Sequence, residues 1–102
     1  MGLTCRLQTE QGESLAEVRD ERGTLSDLIP PIADESFHCL RFIDLYGDTV
    51  FNRLQMPRFL DEWHRIREGV SEREPARIAE QIEALARQCQ DGVHLYLKFY
   101  GD

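Results

Sequence analysis

The chain has 102 residues, 41% of them hydrophobic and 30% charged, and carries a formal net charge of −7. That length has room for one domain with one modest core, and the composition is globular, not disordered. The acidic balance disfavours nucleic acid as a partner, and no apolar run approaches the length of a membrane span.

Leu3, Cys5 and Leu7 alternate with polar residues, and Leu15, Ala16 and Val18 form a second, less regular set. With a turn at residues 9–13 between them, residues 3–19 predict an antiparallel hairpin that points Leu3, Cys5 and Leu7 inward. Thr24 with Asp27 predicts an N-cap and a short helical turn over 25–29, stopped by Pro30 and Pro31. Residues 37–43 carry Phe37, Cys39 and Ile43 on one face and Leu40 and Phe42 on the other, the pattern of a strand buried on both sides. Asp44 to Asp48 is turn chemistry, with Gly47 able to take a positive backbone angle. Residues 49–54 then form the returning strand of a second hairpin.

Pro57 suits a first helical turn, and Phe59, Leu60, Trp63, Ile66 and Val70 recur at helical spacing over a helix near 57–69. Ser71 and Glu74 make a capping box for the next helix, where Ile78, Ile82, Leu85 and Cys89 form one apolar seam ended by Asp91 and Gly92. The last run alternates sharply. Val93, Leu95, Leu97 and Phe99 face one way; His94, Tyr96, Lys98 and Tyr100 face the other. The predicted order is β-β-short α-β-β-α-α-β, a single α+β domain over residues 1–102. Its antiparallel-rich sheet has about five strands, with two helices packed on one face.

The second sheet face then carries Tyr96, Lys98 and Tyr100 together with one side of the middle hairpin. Aromatic residues mixed with arginine are enriched at protein interfaces, so the predicted binding residues are Arg41, Tyr46, Asp48, Asn52, Arg53, Tyr96, Lys98 and Tyr100. Asp48 is expected to cap the turn, Asn52 to have a specific hydrogen-bond partner, and Arg53 to pair with Asp44 or Asp48 or to reach a partner. Charge is uneven as well. Residues 1–36 hold eight acidic residues against three arginines, and the remainder holds eleven against nine basic residues. A basic partner would be favoured kinetically.

Catalytic signatures are missing. There is no Gly-x-Ser-x-Gly, no phosphate-cradling glycine loop, and no cysteine with a histidine partner in sequence. His38 and Asp44 would stand roughly 20 Å apart along a strand, too far to share a metal. Cys5, Cys39 and Cys89 lack the close spacing of metal ligands and read as buried free thiols, which suits a reducing cytoplasm. Residues 1–6 lack the apolar core of a secretory signal. No cofactor and no metal site is expected.

The tripeptide Tyr-Gly-Asp occurs at 46–48 and again at 100–102, each time closing a predicted strand, and reads as a turn and strand-end device. The segments 46–55 (YGDTVFNRLQ) and 94–102 (HLYLKFYGD) resemble a signature of small bacterial proteins of unassigned function. The resemblance implies a bacterial origin and a free-standing domain, and it transfers no catalytic or binding residue. The expected function is that of a non-enzymatic cytosolic protein-binding domain, immunity-like or accessory, contacting a protein partner or a second copy of itself. The alternative expectation is a small homodimeric ligand-binding protein or enzyme with a pocket between sheet and helices around Tyr46, His64 and Tyr96.

Overall fold

The alternating runs at the two ends of the chain meet in one sheet. The computed structural model describes residues 2–20 and 22–101. The elements are β1 (Thr4–Thr9), β2 (Ser14–Arg19), α1 (Thr24–Leu28), β3 (Asp48–Asn52), α2 (Met56–Glu68), α3 (Arg73–Asp91) and β4 (Leu95–Tyr100). Single 3-10 turns lie at Leu40–Phe42 and Arg53–Gln55. The strands pair antiparallel in the order β2-β1-β4-β3. The α+β class and the first hairpin follow the sequence pattern, but the sheet has four strands, not five.

The missing strand is 37–43, and with it goes the second hairpin. Phe37, Leu40 and Ile43 are all buried, and their spacing of three is the period of a 3-10 turn. The backbone amides of this stretch find a carboxylate instead of a ladder: Glu62 on α2 accepts from His38 N at 2.8 Å, Cys39 N at 3.0 Å and Leu40 N at 3.0 Å. β3 therefore pairs with β4 alone.

Local caps also differ from expectation. The residue before α1 is Gly23, at φ +78°, and Thr24 caps nothing with its side chain. Asp20, only 2% exposed, takes that role, accepting from Thr24 N at 2.9 Å and Leu25 N at 2.6 Å. The N-terminus of α3 has no side-chain cap from Ser71, because the chain enters the helix through Glu72. Val93 lies outside β4 and is exposed; His94, at φ +56°, turns the chain between them.

The core forms where α2 and α3 lie on the inward face of the sheet. Cys5 and Leu7 of β1, Val18 of β2, Phe51 of β3, and Leu97 and Phe99 of β4 face it, and Ile78, Ile82, Leu85 and Cys89 form the expected seam of α3. Phe51, Phe59, Trp63 and Phe99 make a chain of aromatic contacts with ring centroids 5.4–6.1 Å apart. Trp63 Nε1–H also donates to Ala79 O at 2.9 Å, tying α2 to α3. The three cysteines are buried free thiols. No helix among the described residues is long and apolar enough to cross a membrane.

The two Tyr-Gly-Asp copies meet each other. Asp48 stands opposite Tyr100 in the ladder, and Gly101 N–H donates to Gly47 O at 2.7 Å. Gly101 allows this approach because a Cβ there would overlap the Leu45 carbonyl. Gly47 is not at positive φ, contrary to the turn expectation; its lack of a Cβ leaves space for Asp44 Oδ2, which an added Cβ would meet at 2.7 Å. Asp102 lies outside the described residues.

Candidate interaction surface

Residues 29–47 have little regular structure, yet their apolar side chains divide cleanly. Phe37, Cys39, Leu40 and Ile43 turn inward, whereas Ile32, Phe42 and Tyr46 remain exposed. The buried Glu62 carboxylate makes this division possible by satisfying amides that would otherwise be stranded in the core. Further along, Asp44 holds the 45–48 turn by accepting from Tyr46 N at 2.8 Å, while its own amide donates to Thr49 Oγ1 at 2.9 Å. Turn capping is thus done by Asp44, not by Asp48.

The outcome is a mainly apolar groove of about 550 Å³, walled by Pro30, Pro31, Ile32, Phe42, Leu45 and Tyr46, with Arg41 and Asp44 at its rim. The Arg41 guanidinium stacks on the Phe42 ring, 4.7 Å from its centroid. Phe42 is 53% and Tyr46 70% exposed.

The outward sheet face is a second surface. Its residues line up in rows across the strands: Arg19, Thr4, Tyr100 and Asp48; then Glu17, Arg6, Lys98 and Val50; then Ser14, Gln8, Tyr96 and Asn52. Tyr100 is its hub. Arg6 and Lys98 lie over its ring, at 4.8 and 4.5 Å from the centroid, and the Gln8 amide donates to its hydroxyl. Partial burial pushes this phenol up, but the hydrogen bonds from Gln8 and Lys98 and the Lys98 charge outweigh it and hold the group below its ordinary value. Arg6 Nε donates to Glu17 at 2.7 Å, and Lys98 Nζ lies 3.6 Å from Asp48.

The predicted binding residues therefore fall in two places. Arg41 and Tyr46 sit on the groove; Asp48, Tyr96, Lys98 and Tyr100 sit on the sheet face. Asn52 starts on that face but spends its side chain as a cap, accepting from Leu54 N at 3.0 Å and Gln55 N at 3.3 Å. That is the specific partner its place in a strand implied. Arg53 is exposed and pairs with neither Asp44 nor Asp48. It shares a smaller groove at the end of β3 with Leu54, Val93, His94 and Tyr96.

Tyr46, His64 and Tyr96 line three different grooves and do not converge. The space between sheet and helices that would have joined them is filled by the aromatic core. Among the described residues no three His, Cys, Asp or Glu side chains cluster as metal ligands would.

Sequence reading missed Phe42 and Ile32 as surface residues, and it missed Glu62 and Arg6 entirely. The one local signal was the spacing of Phe37, Leu40 and Ile43, which leaves Phe42 off the buried side. No family model matches this chain, and comparison with curated proteins and with solved structures gave no match.

Proposed function

We propose that this is a non-enzymatic protein-binding domain of the bacterial cytoplasm, immunity-like or accessory in role, whose contact surface is the groove rim formed by Ile32, Arg41, Phe42 and Tyr46. One observation carries the reading: large aromatic side chains are displayed to solvent on a loop that a buried carboxylate ties to α2. Aromatic and arginine side chains are the residue types that dominate interface energetics, and a loop already ordered loses less entropy on binding. The Arg41–Phe42 stack adds a preset orientation to the charge at the rim.

The net charge of −7 would steer a basic partner to this domain, so association should slow as salt is raised. A photo-cross-linking residue placed at Ile32, exposed on the groove and away from β3, tests the site in growing cells, with Arg87 on the exposed side of α3 as control. The expected result is one discrete adduct from position 32, absent from position 87, and lost when Phe42→Asp is added to a chain that still folds. Equal labelling from both positions, or an adduct indifferent to Phe42→Asp, overturns the assignment.

A further inference from the structure

The two edges of the sheet differ in what they expose. Asp20 N–H donates to Leu3 O in the β1–β2 ladder, and Gly101 N–H donates to Gly47 O in the β3–β4 ladder. Hydrogen-bonded and non-bonded pairs alternate along an antiparallel ladder. With the observed register, Thr49 and Phe51 bond to β4, and Asp48, Val50 and Asn52 turn their backbone groups to the free edge. The same alternation leaves Glu17 and Arg19 on the free edge of β2. There an ion pair and a register irregularity oppose further pairing, as charged or bulged edges do. The centre of the β3 edge has no such protection: Val50 is apolar and 52% exposed.

We infer that β3 pairs antiparallel with β3 of a second copy of this chain, across a two-fold axis at Val50, joining the two four-stranded sheets into one. The edge is self-complementary about that point. Asp48 comes opposite Asn52 of the second copy with Arg53 beside it, so the carboxylate meets a guanidinium and never its own counterpart. Arg53 is exposed and has no ion-pair partner among the described residues. The same axis brings the Tyr46 end of one strand to the Leu54 end of the other, and these residues are 70% and 81% exposed.

The Asn52 N–H is already held by Gln55 Oε1 at 2.9 Å, which ends the pairing and confines it to a short ladder centred on Val50. A short ladder buries less than a standard interface, so the dimer is weak and reversible.

Sedimentation equilibrium of the intact chain over a wide concentration range tests this, and a concentration-dependent shift from monomer to dimer is expected. Val50→Pro removes the outward N–H at the axis without touching the bonds to β4, and should give a folded monomer at every concentration. Asp48→Arg and Arg53→Asp should each weaken association roughly tenfold or more, and the double exchange should restore it. If Val50→Pro does not fold, the charge exchange decides alone. Phe42→Asp leaves this self-association intact, which separates it from partner binding at the groove. A wild-type chain that stays monomeric throughout, a dimer that a folded Val50→Pro retains, or a double exchange as weak as the single variants overturns the pairing.

Discussion

Replacing Glu62 probes the loop and the groove at once. In Glu62→Ala the three amides at 38–40 lose their acceptor. His38 is exposed and water can satisfy it; Cys39 and Leu40 are buried and water cannot reach them without opening the loop. A buried donor left without a partner costs about 1–3 kcal/mol. Two such donors give about 2–6 kcal/mol, and loop relaxation favours the middle of that range. Against a stability of about 5–15 kcal/mol for a small domain, the variant should still fold. At about 4–8 °C per kcal/mol, its melting temperature should fall by roughly 16–32 °C.

Urea unfolding followed by circular dichroism and by the fluorescence of buried Trp63 measures the change. Amide exchange at 39 and 40 should quicken more than in β4. Glu62→Gln keeps one carbonyl oxygen but presents an NH2 donor to amides that are themselves donors, so it should rescue only part of the loss. A Glu62→Ala cost below about 1 kcal/mol, with exchange at 39 and 40 unchanged, would refute the capping role.

Three further outcomes follow from the packing. Leu97→Ala, in the interior strand and fully buried, should cost about 2–5 kcal/mol in urea unfolding; a near-neutral result would mean the strand is not central to the core. Burial raises the Glu83 carboxyl, but hydrogen bonds from Arg67 at 2.6 Å and Arg87 at 3.1 Å outweigh it and hold the group below the usual range. Its contribution is therefore present above the unfolded value of about 4.3 and is lost as pH falls through the lower folded value. Glu83→Gln should flatten that acid-side loss, and an unchanged profile would count against the network. Burial pushes the Cys89 thiol up to about 11 and raises Cys5 and Cys39 as well. A thiol reagent at mildly alkaline pH should then label the chain only after unfolding, and rapid labelling of the native protein would contradict this burial.

Periodicity alone determined which sides of the helices and strands are buried. Alternation at Cys5 and Leu7, the four-three-four spacing from Ile78 to Cys89, and alternation at Leu97 and Phe99 each place their residues in the core, because side-chain direction repeats with a fixed local period. The tertiary structure decided what happens between those elements. Residues 37–43 have a composition that fits a strand, but their amides are claimed by a carboxylate more than twenty positions away, and no local pattern encodes a partner at that distance. Likewise, the Tyr-Gly-Asp repeat is visible in the sequence, yet the pairing of its two copies depends on β3 and β4 being neighbours. The exposed aromatics and the open β3 edge come from those same long-range choices: once Glu62 draws 37–43 into a turn, Phe42 faces solvent and β3 loses the neighbour that the sequence pattern predicts.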